Sequence, residues 1–172
     1  MLKVLVAYAT KHQSTQEIAA AIGSELRAGG LDADVRPVEQ VTDLNPYQAV
    51  VLGSAVYAGQ WQGDAAAFLT ARQAELAARP VWLFSSGPTG EGDPLELLKG
   101  WKLPEKLKPV ADQIQPRDIA LFHGSIDPQK MNFFERMIIK GVKAPVGDFR
   151  DWDAIRAWAR SIVQTLTAQP EP

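Results

Sequence analysis

The feature that most constrains this chain is a recurrence of five short apolar runs, each leaving through small or polar residues and several leading into a segment of helical period. The first, LKVLVAY from Leu2 to Tyr8, is apolar without alternation. A strand buried on one face alternates apolar and polar residues, so a run lacking that alternation has to be covered on both faces. Asp32 to Val38, Ala49 to Ser54, Val81 to Ser86 and Asp118 to His123 read as four further strands. Between and after them, Ser14 to Ala28 places Ile18, Ala21, Ile22 and Leu26 at helical spacing and stops at Gly29-Gly30, a C-terminal helix signal. Asp64 to Ala78 is an Ala-rich helix ending before Pro80, and Trp152 to Thr167 is a closing helix. The expected fold class is α/β: a doubly wound, five-stranded parallel sheet with helices on both faces.

The size of the chain agrees with that reading. With 172 residues, 46% of them hydrophobic and 22% charged, one domain over residues 1–168 can bury a real core, and residues 169–172 read as a flexible tail. The absence of cysteine excludes disulfides, thiolate metal sites and a cysteine nucleophile, and suits a reducing cytoplasm. A formal net charge of −2 argues against a nucleic-acid binder. No run approaches the length that spans a bilayer and no basic, apolar leader opens the chain, so the expectation is a soluble cytoplasmic protein.

Ligands of open α/β sheets bind beyond the carboxyl ends of the strands, where the winding reverses. Three strands here end in loops that would open at one edge: TKHQST after the first, GSAVYAGQW after the third, SSGPTGEGD after the fourth. In the first loop Thr10, Ser14 and Thr15 offer hydroxyls, and the free N–H groups and positive dipole end of the following helix add to them, a combination suited to a phosphate monoester. The competing reading is that Ser14 or Thr15 caps the helix. His12 has no acid or nucleophile near it in sequence and reads as a solvated loop residue. In the second loop Gly53, Ala55, Ala58 and Gly59 allow close backbone approach, and Tyr57 and Trp61 are candidates to stack on a flat ring, although Trp61 equally suits packing on the sheet. Gly87, Gly90 and Gly92, with Pro88, Thr89 and Glu91, form a third shapeable loop whose N–H groups suit ring carbonyls. Neither GxxxxGK(S/T) nor GxGxxG follows the first strand, and the strand ends lack the acids of a phosphoacceptor domain.

These loops resemble those of the flavodoxin-like FMN proteins, over nearly the whole chain. Their phosphate loop, roughly TxTGNT, falls on Thr10, Lys11, His12, Gln13, Ser14 and Thr15; both outer threonines match, and His12 and Gln13 depart. A closer similarity is to the flavodoxin-domain branch containing the menaquinone-dependent protoporphyrinogen oxidases. It rests on YATKHQSTQEIA, GSAVYAGQW and the late stretch GSIDPQKMNFFERMII from Gly124, which ordinary short-chain flavodoxins lack. The resemblance implies strand order 2-1-3-4-5 and FMN held at its phosphate by residues 10–15. It further implies an isoalloxazine flanked by Ser54, Ala55, Val56, Tyr57, Ala58, Gly59 and Trp61 and by Ser86, Gly87, Pro88, Thr89 and Gly90. The implied activity is FMN-dependent oxidation, with protoporphyrinogen IX as substrate and a quinone as acceptor. No general base is implied, because the cofactor performs the transfer. The alternatives are a flavodoxin-type electron carrier, for which −2 is weakly acidic, and a flavin-free anion-binding module of the same fold. A homodimer is compatible with either.

Three further features stand apart from the loops. Lys130 to Lys143 (KMNFFERMIIKGVK) carries four basic residues and one acid, with Phe134, Met137, Ile138 and Val142 at helical spacing. Such a segment suits a membrane interface, a quinone or porphyrin carboxylates, or else packs its apolar side on the sheet. Pro94 to Pro116 reads either as a lid or as a long connection. His123, ending the fifth strand, reads as a hydrogen-bonded structural histidine that could also touch a substrate.

Overall fold

A computed structural model describes residues 1–168, so the expected tail at 169–172 lies outside the described residues. In chain order the strands are β1 (Lys3–Ala9), β2 (Asp32–Pro37), β3 (Ala49–Tyr57), β4 (Gln60–Trp61), β5 (Val81–Ser86), β6 (Asp118–Phe122), β7 (Ser125–Ile126) and β8 (Gly147–Asp148). The helices are α1 (Ser14–Ala28), α2 (Gly63–Ala71), α3 (Gln73–Ala77), α4 (Pro94–Leu97), α5 (Lys108–Ile114), α6 (Phe133–Val142) and α7 (Trp152–Thr167). Five strands form one parallel sheet in the order β2-β1-β3-β5-β6, which is the expected 2-1-3-4-5 when parallel strands alone are numbered. The order reverses between β1 and β3, so a crevice opens at their carboxyl ends.

Why β1 lacks alternation is visible in its packing. Val4, Val6 and Tyr8 face α1 and α7, meeting Ile18, Ile22, Leu26, Ile155 and Ile162. Leu5, Ala7 and Ala9 face the opposite layer, with Leu69 and Leu76 of α2 and α3 and Ile114 of α5. Both faces are dry, and each fully buried Leu or Ile contributes about 1.5–3 kcal/mol.

Within this frame the structure departs from the sequence-based boundaries in four places. β3 continues past Ser54 to Tyr57 and folds back into β4 through Ala58 and Gly59, both at positive φ (49° and 73°). Two such residues in succession form the tight hairpin turn that matches strand twist, so GSAVYAGQW is a hairpin rather than a loop. The helix predicted over Asp64–Ala78 is broken at Arg72, whose guanidinium turns to the Thr42 carbonyl (3.0 Å) and to Glu75 (3.1 Å). Gly53 was expected to admit a ligand; instead a Cβ there would lie 2.0 Å from the Phe84 ring, which fills the space within the core. Of the 94–116 stretch, Leu103, Leu107, Ala111 and Ile114 join the core, leaving only its first part at the sheet edge.

The late stretch departs most. α6 is helical as its spacing suggests, yet none of its residues is buried, and Phe133, Phe134, Met137, Ile138 and Val142 are 55–75% exposed. The reading in which it packs on the sheet is therefore overturned. It projects from a short β7–β8 ribbon, held at its base by Arg150, whose guanidinium is 9% exposed and bonds Glu17 (2.6 Å) and Asp148 (2.7 Å).

Candidate functional site

A cavity of about 790 Å³ opens at the carboxyl edge of the sheet, between the ends of β1, β3 and β5. Thr10, Lys11, His12, Ser14 and Thr15 line one end, Ala55 to Gly59 a second side, and Ser86 to Thr89 a third. The topology thus brings together fourteen of the eighteen residues singled out for a cofactor: those five, the five from Ala55 to Gly59, and the four from Ser86 to Thr89.

The first end has the chemistry of an anion cradle. α1 begins after Gln13, which sits in the left-handed region at φ 69° and makes no side-chain capping bond. Ser14 and Thr15 are therefore the first two helical residues rather than caps, and the competing capping reading does not hold. The opening N–H groups of α1 have no intrahelical partners, since the first such bond runs from Glu17 N–H to the Gln13 carbonyl. The hydroxyl oxygens of Thr10 and Ser14 are buried and make no hydrogen bond. A buried hydroxyl left unpaired costs about 1–3 kcal/mol, so two of them in the wall of one cavity, at the turn that opens α1, call for an acceptor-rich ligand. Thr15 Oγ1 is already paired with Ser86 Oγ at 3.0 Å, which ties the cradle to β5.

His12 is not solvated. Its Nε2 pairs with Glu135 of α6, and Lys11 Nζ lies 3.7 Å from the same carboxylate. The lysine and the histidine of the loop are thus both engaged by an acid that stands 123 residues beyond His12 in the chain. Burial acts to raise the Glu135 carboxyl, but the His12 hydrogen bond and the charges of His12 and Lys11 outweigh it and hold the group below the ordinary carboxylate range.

Beside this ion cluster stands Tyr57. Lys11 Nζ lies 4.8 Å from its ring centroid and the His12 ring meets it edge-on at 6.2 Å. Burial first, and the Glu135 charge second, push its phenol up to about 12, so it stays protonated as an aromatic wall with one O–H donor.

Four expected residues stand outside the cavity wall. Gln13 contributes backbone shape to the cradle. Ser54 is fully buried, its Oγ accepting from Gln62 N–H (2.9 Å) and donating to the Ala55 carbonyl (2.8 Å), so it pins the hairpin. Trp61 does not stack on a ring site: its side chain is core, and Nε1 donates to Ser85 Oγ at 2.8 Å. Gly90 lies beyond the wall, facing Pro145. His123 likewise stays out, its ring nitrogens meeting the carbonyls of Pro88 (2.9 Å) and Gly92 (2.6 Å), so it shapes the 88–92 loop rather than touching a ligand.

The fourth side of the cavity comes from the two segments read in the sequence as a lid or connection (94–116) and as a basic amphipathic stretch (130–143). Leu97, Leu98 and Trp101 enter from the α4 segment, and Ile138, Ile139 and Val142 from α6. Their helical spacing marks an apolar face, but nothing in the sequence says that two distant segments share one mouth. Glu135 was missed for the same reason, although a lone acid in a basic segment is a visible signal.

Unpaired hydroxyls at an open helix start beside a switch point, continuous with a slot between two strand-end loops, are suited to a phosphate-bearing ligand with a flat ring. The chain belongs to the flavodoxin domain family, whose model matches residues 5–153. Over 98% of both chains it is 23% identical to a protein named protoporphyrinogen IX dehydrogenase (quinone) from Escherichia coli K12. Among solved structures, a flavodoxin from an archaeon superposes with a TM-score of 0.61 at 13% identity, covering 97% of this chain and 100% of that one. A flavodoxin from Pseudomonas aeruginosa, solved as a single-residue mutant, gives 0.61 at 15% identity, over 97% and 100%. The rubredoxin oxygen:oxidoreductase of Desulfovibrio gigas gives 0.62 at 14% identity, over 96% of this chain and 37% of that one. Fold and family together make this a flavodoxin-type flavoprotein.

Proposed function

We propose that this chain is an FMN-dependent oxidoreductase that oxidises protoporphyrinogen IX and passes the electrons to a quinone. The observation that carries the cofactor is the pair of unpartnered hydroxyls on Thr10 and Ser14 beneath the open N-terminus of α1. These groups suit three phosphate oxygens, with Thr15 and the backbone of Lys11 to Gln13 completing the cradle. Bound FMN would supply the hydride or electron transfer. The protein's part is to wall the ring between Tyr57 and the Gly87–Thr89 segment, to keep the Tyr57 phenol neutral, and to exclude water with Leu97, Trp101 and Ile138.

The substrate reading is supported by the full-length similarity to the Escherichia coli dehydrogenase and by the apolar mouth. The apolar side chains of the α4 segment and α6 that line the cavity suit a large flat ring system, and Lys143 in the same lining suits a carboxylate. An electron carrier needs no such mouth, and carriers that dock on basic partners present acidic faces, whereas α6 is basic. The exposed Phe133, Phe134 and Met137, flanked by Lys130, Arg136, Lys140 and Lys143, fit the surface of an anionic bilayer, where both reactants are soluble. Four cations around that face disfavour a symmetric dimer through it.

The test is the visible spectrum of the purified protein after FMN is added and the excess removed, followed by anaerobic mixing with protoporphyrinogen IX. Retained colour that bleaches with the porphyrinogen and returns with a quinone supports the enzyme. Colour that does not bleach leaves the electron carrier, and a colourless protein leaves the flavin-free anion binder.

A further inference from the structure

α6 is a ten-residue helix with no buried residue, and an isolated helix of that length is unstable in water. Something has to hold it beside the cavity. Its N-terminus is closed locally by Asn132, whose side chain accepts from Glu135 N–H at 2.9 Å. Among the described residues, the one side chain of α6 that makes an ion pair or side-chain hydrogen bond to the sheet domain is Glu135, to Lys11 and His12. The pair is sheltered: the Glu135 side chain is 13% exposed and that of His12 19%. Both partners sit in the phosphate loop and both line the cavity.

We propose that Glu135 is a positioning residue: by engaging Lys11 and His12 it fixes α6 over the cavity mouth and at the same time withholds both side chains from the phosphate cradle. A carboxylate beside the cradle opposes a dianionic ligand directly, and it engages the two side chains that would otherwise bind one. The phosphate is then left to hydroxyls and N–H groups, which accounts for a loop that carries a lysine and a histidine yet depends on Thr10 and Ser14. Ala55 to Gly59 and Ser86 to Thr89 contribute no charged group, so the clasp governs the local charge on this side of the cavity. The half of the proposal that concerns the phosphate rests on the flavin reading above; the half that concerns α6 does not.

Glu135→Gln keeps the shape and one hydrogen bond while removing the charge, and Glu135→Ala removes both. Hydrogen exchange followed by mass spectrometry reads α6 directly, and it needs neither cofactor nor turnover. Amides of residues 133–142 are expected to exchange about fivefold faster or more in Glu135→Ala, with a smaller increase in Glu135→Gln and no change in β1, β3 and β5. His12→Ala should reproduce the loosening, and adding it to Glu135→Ala should add little, as expected of partners in one contact. Fluorescence titration then compares FMN with riboflavin. Glu135→Gln is expected to tighten FMN about three- to fivefold at low salt and to leave riboflavin, which has no phosphate, unchanged. Exchange within about twofold of wild type across α6 in Glu135→Ala would overturn the clasp. Equal loss of FMN and riboflavin binding in Glu135→Gln would overturn the charge-withholding role and leave a scaffold residue. Failure of the wild-type protein itself to bind FMN would sink the flavin reading while the exchange measurement still decides the clasp.

Discussion

Thr10 and Ser14 illustrate how a single atom can carry a functional argument. A buried hydroxyl without a partner destabilises the free protein, and its removal should do the reverse. Thr10→Val is therefore expected to leave the apoprotein at least as stable in a thermal melt while raising the dissociation constant for FMN, by about 1 kcal/mol or some fivefold, with riboflavin unaffected. The opposite case is Trp61, whose indole N–H is satisfied inside the core. Trp61→Phe should lower stability by about 1 kcal/mol in a denaturant titration and leave flavin affinity as it was; a large loss of flavin binding would restore Trp61 to the site. A hydrogen bond from Arg150, opposed by burial, holds the Asp148 carboxyl below its ordinary range, and Glu135 is likewise depressed against burial by His12 and Lys11. A carboxyl depressed on folding contributes its full stability above its unfolded pKa of about 4 and loses it as pH falls through the lower folded value. Residues 130–150 should accordingly loosen below about pH 4, earlier than the β-sheet, in pH-dependent amide chemical shifts.

At the scale of elements, α6 and α7 make an instructive pair. Both are amphipathic, and α7 lays Ile155, Ala159 and Ile162 into the core while α6 buries nothing. The difference does not lie in their periodicity. α7 follows β8 and returns to the sheet beside α1, whereas α6 is carried outward on the β7–β8 ribbon. Replacing Phe133 and Phe134, which are 68% and 75% exposed, with serine should abolish sedimentation with anionic vesicles and leave the melting temperature within about a degree of wild type. Neutral vesicles should retain much less of the wild-type protein, because the four flanking cations have no partner there. The hairpin Tyr57-Ala58-Gly59-Gln60 carries the same lesson in a strand. The small residues were legible as a place of unusual backbone, but their meaning as a turn depended on Trp61 having a place in the core.

For the molecule as a whole, the centre of the sheet is the least tolerant region. Phe84 fills the space above Gly53 and meets Phe122 and Trp158 at centroid distances of 5.8 and 6.1 Å. Gly53→Ala has to displace that ring and should cost about 1–3 kcal/mol in urea unfolding, although the residue lies outside the cavity wall. Much of this architecture could be read in advance. Apolar runs without alternation, helical spacing at Ile18, Ile22 and Leu26, and the Gly29-Gly30 stop depend on local periodicity and on chain stiffness, which neighbours in sequence determine. The turn from β1 into the open start of α1 at Thr10 to Thr15 was legible for the same reason, being one strand end and one helix start. What the sequence by itself determined, then, was the strands, the helices that follow them and the loops at the strand ends. Only the tertiary structure decided that Trp61 belongs to the core, that α6 stands exposed, and that Glu135 reaches Lys11 and His12. Each of those outcomes is a competition among distant segments for the same volume or the same charge, and such a competition is resolved when the chain closes on itself in three dimensions.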